Sequence, residues 1–177
     1  MHVLKRLAAL LLVLFATVGC DQATKSLAQT HLSDAPPRFF LNGLFSLHYA
    51  ENPGAFLSLG AALPGDLQRW VFTIAVTIVL VAVFIFTLRE MVRVHVMVLV
   101  SLALFLGGGI GNLIDRFTND GRVIDFMHIS FAPIGMGTLR TGVFNVADMA
   151  LLTGVALLGL YSWRQGANHT AADPTND

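Results

Sequence analysis

At 177 residues, with 55% hydrophobic and 12% charged residues, the chain is far too apolar for a soluble domain and long enough for one membrane domain. Basic and acidic residues number 11 each, so there is no net basic field of the kind that attracts nucleic acid. The lone cysteine, Cys20, excludes an internal disulfide and leaves no second thiol for a thiolate metal site.

A bilayer core about 30 Å thick takes roughly 20 apolar residues per helix. The chain offers four such stretches, near residues 7–28, 70–88, 94–114 and 143–163. Residues 1–164 are therefore expected to form one membrane domain with an all-α core of four transmembrane helices, and 165–177 a small, polar, disordered tail. The first stretch follows Lys5-Arg6 and contains Thr17-Val18-Gly19-Cys20, which also resembles a cleavable lipoprotein signal. Such sites usually carry Leu three residues before the cysteine, where this chain has Thr17. The segment is read as a retained span and Cys20 as an ordinary apolar helix residue.

The connection 29–69 is polar and punctuated by Pro36, Pro37, Asn42, Gly43, Pro53, Gly54 and Pro64, which excludes a fifth span. Within it, Phe39 to Tyr49 reads as short strands or an amphipathic surface element. The connection from Thr87 to Arg93 is short enough to make the second and third spans antiparallel neighbours. Gly107-Gly108-Gly109-Ile110-Gly111 lies inside the third span, where close helix packing explains it better than phosphate binding. The connection 116–142 holds a strand-like Val123 to Phe126 and is long enough to carry function.

Lys5, Arg6, Arg89, Arg93 and Arg164 fall on one side of the membrane; Arg38, Arg69, Arg116, Arg122, Arg140 and Lys25 fall on the other. Basic count alone therefore leaves orientation open. The concentration of acidic residues in the long connections places the short loop and both termini in the cytoplasm.

Alternation of direction from span to span brings Asp21 and Lys25, Asn112, Asp115 and Arg116, and Asn145 and Asp148 to one membrane face, together with Asn52 and Asp125 of the long connections. Ionisable groups at the bilayer edge are costly and normally face a protein interior or a watered cavity, so this cluster is the candidate site. Asp21 and Lys25, at i and i+4, read either as an ion pair at the membrane edge or as a substrate contact; Asp115 with Arg116 reads as scaffolding. Asp148 is expected about 7 Å inside a helix starting near Val143, with no basic residue within a turn. Asp125 interrupts the apolar run Val123-Ile124-Asp125-Phe126.

Other chemistries lack their parts. Ser46, Ser58, Ser101 and Ser130 sit in no nucleophile-elbow pattern, and the histidines, His48 and His128 among them, are too dispersed for a recognisable zinc site. Two aspartates are the most economical set: carboxylates sharing a site do not both ionise easily, so one keeps a proton while the other acts as base toward water. That chemistry requires no metal and no cofactor.

Five blocks carry a family pattern: Asp21-Gln22-Ala23-Thr24-Lys25, Asn52-Pro53-Gly54-Ala55-Phe56, Gly108 through Asn112 to Asp115-Arg116, Val123-Ile124-Asp125-Phe126, and Phe144-Asn145-Val146-Ala147-Asp148. In this order, over nearly the whole chain, they resemble lipoprotein signal peptidase, the type II signal peptidase of bacteria. The resemblance implies four membrane helices with a small extracytoplasmic β-element, in the bacterial inner membrane. It implies Asp125 and Asp148 as the catalytic pair. Asn52, Gly54, Asn112, Arg116 and Asn145 fall on positions associated with substrate handling or site support, and Asp21 with Lys25 on a structural or substrate-contacting pair. The implied partners are membrane lipid and a prolipoprotein cut on the amino side of its diacylglyceryl-modified cysteine; nucleic acid is not among them, and the chain is expected to be a monomer. The family often reads N-x-G-A-A-F where this chain has Asn52-Pro53-Gly54-Ala55-Phe56-Leu57, so the loop's conformation, and a lid role for Asn52 to Phe56, stay open. Two readings compete. A small transporter would spread its polar residues along a path through the bilayer, and a noncatalytic scaffold would depend on Asp148 for folding.

Overall fold

The computed structural model describes residues 2–53, 65–132 and 139–172. Among the described residues four helices are long and apolar enough to cross a membrane: α1 (His2–Leu32), α2 (Gly65–Glu90), α3 (Val96–Thr118) and α4 (Val146–Ala172). A three-stranded antiparallel sheet, β1 (Arg38–Phe40), β2 (Phe45–Asn52) and β3 (Val123–Ile129), in the order β1-β2-β3, sits where α1 and α3 end and α4 begins. The fold is therefore the expected membrane helix core with a small β-element.

α3 is the central helix. In its most apolar window 44% of residues are buried inside the protein, against 11% for α1 and 17% each for α2 and α4. The glycine run explains how three neighbours reach it. A Cβ on Gly107 would meet Thr17 of α1 at 2.7 Å, one on Gly108 would strike the Ala147 carbonyl of α4, and one on Gly109 would strike Leu80 of α2. Small residues thus let each helix approach α3 through its own notch. Met91 to His95 turns α2 back into α3, and the Arg6 guanidinium clasps that turn from α1, donating to the carbonyls of Met91 (2.7 Å) and Val94 (2.6 Å).

Strands β1 and β2 register Arg38 opposite Leu47 and Phe40 opposite Phe45; β2 and β3 pair Ser46 with His128, and a register shift between Leu47 and Ala50 then brings Ala50 opposite Asp125. Leu47, Met127 and Phe126 pack with Ala28 and Leu32, seating the sheet on the end of α1.

α4 starts three residues later than hydropathy suggests. The amides of Phe126 and Met127 both donate to the Phe144 carbonyl, and the Phe144 amide donates back to Met127, so this segment pairs with β3 before the helix can begin. At its other end α4 continues through Ala172, so Gln165 to Ala172 is helical rather than a disordered tail. α1 is likewise longer than its apolar core, since no proline interrupts it before Pro36.

Candidate active site

α4 opens on a reciprocal cap. Asn145 Oδ1 accepts the Asp148 amide hydrogen (2.9 Å), while Asp148 Oδ2 accepts that of Asn145 (3.1 Å), the arrangement of a capping box. Asp148 consequently lies in the first turn, about 3 Å past the helix start rather than 7 Å inside it. A negative charge there is favoured by the free amides and the helix dipole.

The same Asn145 reaches the sheet. Its Nδ2 lies 2.7 Å from Asp125 Oδ1, with the Asn112 Oδ1 at 3.0 Å and the Ile124 carbonyl at 3.2 Å. Asn52 Nδ2, from the end of β2, donates to the other Asp125 oxygen at 3.1 Å. One residue, Asn145, therefore holds both carboxylates, Asp125 through its side chain and Asp148 through its backbone. Asn112 of α3 completes the ring by donating Nδ2 to Asp148 Oδ1 at 2.9 Å.

Asn112 is itself aimed by Lys25. The Lys25 ammonium, 2% exposed, donates to Asn112 Oδ1 (2.9 Å) and pairs with Asp21 Oδ2 and Asp115 Oδ2, each at 2.8 Å. A cation on the amide oxygen leaves only the NH₂ end to face Asp148. The two acids that hold Lys25 also clamp backbone. Asp21 Oδ1 accepts the Ala147 amide hydrogen of α4 (2.9 Å), and Asp115 Oδ2 accepts that of Ile124 (3.0 Å), the residue before Asp125. Gln22 Nε2 bridges Asp115 Oδ1 (3.0 Å) and the Gly111 carbonyl (3.1 Å). Gly111 is required here, because a Cβ would lie 2.5 Å from Asp21 Oδ2.

Asp125 is 1% exposed, whereas Asp148 is half-buried. Burial, and then the nearby charge of Asp148, push the Asp125 carboxyl up to about 6, against the lowering influence of Asn52 and Asn145. From Asn112 and Arg116 an apolar cleft of about 470 Å³ runs between α2, α3 and α4, lined by Val76, Val79, Phe105 and Leu151. At the rim Arg122 bonds Glu51 (2.8 Å), holding its carboxyl below the usual range.

The structure thus gathers Asp21, Lys25, Asn52, Asn112, Asp125, Asn145 and Asp148 into one network. Arg116 lies within reach of the charges of Asp125, Asp115 and Asp148 but forms no ion pair with Asp115. Its guanidinium donates to the Gly121 carbonyl (3.0 Å), and Asp115 pairs with Lys25 across to α1, because neighbours at i and i+1 on a helix do not face each other. Gly54 lies outside the described residues, as does most of the Asn52 to Phe56 loop. Gln22 and the Asp115 clamp on β3 went unread in the sequence; the only signal was their place inside the matched blocks.

A family model described as signal peptidase (SPase) II matches residues 13–164. The lipoprotein signal peptidase of Chlorobium phaeovibrioides is 36% identical over 168 residues, 93% of this chain and 95% of that protein. That of Streptococcus pyogenes serotype M6 is 33% identical over 161 residues, 91% of this chain and 95% of that one. Among solved structures, a bacterial membrane enzyme superposes with a TM-score of 0.73 at 25% identity, covering 91% of each chain.

Proposed function

The chain belongs to the signal peptidase II family, and we propose that it is an aspartic endopeptidase cleaving diacylglyceryl-modified prolipoproteins on the amino side of the modified cysteine, with Asp125 and Asp148 as the catalytic pair. The observation that carries this reading is the shared hold of Asn145 on both carboxylates. The active end of the bundle faces away from the cytoplasm, both termini lie in the cytoplasm, and the membrane is the bacterial inner membrane.

Asp125, the more buried of the two and raised to about 6, is the better placed to carry the shared proton, and Asp148, half-buried at the helix start, is assigned as the base. Asp148 takes a proton from water as the oxygen adds to the scissile carbonyl carbon and Asp125 passes its proton to the carbonyl oxygen. A neutral diol results. The proton on Asp148 then moves to the leaving nitrogen of the cysteine, the C–N bond breaks, and a diol hydroxyl returns its proton to Asp125. Acyl chains lying in the apolar cleft that ends at Asn112 and Arg116 set the peptide's depth, so lipid binding energy serves positioning.

Purified protein in lipid–detergent micelles, given one prolipoprotein peptide with and without its diacylglyceryl group, tests this. Mass spectrometry is expected to find cleavage only of the lipidated peptide, leaving the modified cysteine at the new amino terminus. Cleavage elsewhere, or equal cleavage of the unlipidated peptide, contradicts the reading.

A further inference from the structure

A second cleft, of about 390 Å³, takes side chains from every strand of the sheet, Phe39, Ser46, His48 and His128, and from the Arg140 to Val143 segment that pairs beside β3. Ser46 registers against both Phe39 and His128, so these side chains share a face. None of Asn52, Asn112, Asp125, Asn145 and Asp148 lines this cleft, so it is a different concavity from the candidate active site.

Its polar lining is basic or neutral. The His48 and His128 rings lie 5.8 Å apart, Ser46 Oγ is 3.3 Å from His128 Nδ1, and exposed Arg140 makes no side-chain hydrogen bond or ion pair among the described residues. No carboxylate lines the cleft among those residues. Burial, and then His128, hold the His48 imidazolium below its usual range, a conflict that a bound anion relieves. A guanidinium, two imidazoles and a hydroxyl converging on one concavity suit a phosphate.

The surroundings identify the source of that phosphate. Phe39 and Leu41, beside the cleft, are 69% and 73% exposed, matching Leu12 and Leu152 on the outer sides of the spans at 71% each. Leu41 and Asn42 hold φ of 52° and 56°, a strained conformation for residues other than glycine, and this turn presents Leu41 outward. Thr141 to Val143 leads directly into α4, which puts the cleft at the bilayer edge. We propose that it binds the headgroup phosphate of an anionic phospholipid in the leaflet on which the sheet rests, with Arg140 as the principal contact and Phe39 and Leu41 in the acyl region. This site is independent of the catalytic reading.

Native mass spectrometry of the full chain, titrated in micelles with phosphatidylglycerol or phosphatidylcholine, tests the proposal. The parent is expected to retain phosphatidylglycerol in preference. Arg140→Gln lowers that affinity about five-fold, the effect of one basic residue near an anionic lipid surface; Arg140→Lys keeps most of it, and Arg93→Gln, at the other end of the bundle, leaves it unchanged. Equal retention of the two lipids, or an unaffected Arg140→Gln variant, overturns the proposal. So does displacement of phosphatidylglycerol by inorganic phosphate, which places a free anion in the cleft, or by an acidic peptide, which makes it a protein-binding site.

Discussion

Asn112 shows how one amide can be made directional. With the Lys25 ammonium and the Asn145 amide both on its oxygen, its NH₂ is turned to Asp148, its one acceptor among the described residues. Asn112→Ala is expected to leave folding intact and lower kcat on the order of 100-fold with little change in KM, because it frees Asp148 to rotate. Lys25→Met belongs to a different class. It strands Asp21 and Asp115 as buried charges, and a loss of about 3–5 kcal/mol in stability is expected, measured by thermal unfolding in detergent. Asp125 carries a pH signature. Its carboxyl is raised from 3.8 to about 6 in the folded protein, so folding favours the protonated form. The stability this gives is complete below about pH 4 and is lost as pH rises through about 6. The parent should therefore lose stability relative to Asp125→Asn across that window, and the two should run in parallel below it; parallel melting curves at every pH contradict the raised carboxyl.

α3 is the element on which assembly turns, because its glycines accept α1, α2 and α4 at successive positions. Gly108→Leu is expected to cost about 1–3 kcal/mol by overpacking against Ala147 and Leu151. Gly111→Ala should act on the site instead, displacing Asp21 and with it the clamp on the Ala147 amide, so that activity falls further than the melting temperature. At this scale much was legible from sequence. Long apolar runs locate the spans because a bilayer demands them, and alternating direction gathers the polar helix ends on one face. What stayed hidden depends on contacts across the chain. The start of α4 was masked because Val143 and Phe144 are apolar enough to extend the helix, yet the backbone of Phe144 pairs with β3. The partner of Asp115 was masked because Lys25 is distant in sequence, whereas Arg116, adjacent, points to Gly121.

For the whole molecule, the network of charged and amide side chains lies at one end of the bundle, while the opposite end is tied by Arg6 on the α2–α3 turn and by His95 stacked on Tyr161 at 5.2 Å. This polarity suits an enzyme working at one membrane surface better than a path across it. In a Cys20→Ser background, Arg140→Cys should react with a membrane-impermeant maleimide in intact cells and Arg93→Cys only after lysis; the reverse pattern contradicts the proposed orientation. The catalytic role of the two aspartates is decided by comparing the parent with Asp125→Asn and Asp148→Asn, purified, checked for equal folding, and given the diacylglyceryl-modified prolipoprotein peptide. The parent is expected to cut before the modified cysteine while both variants stay folded, bind the peptide and release no product. Full activity in either variant contradicts that role.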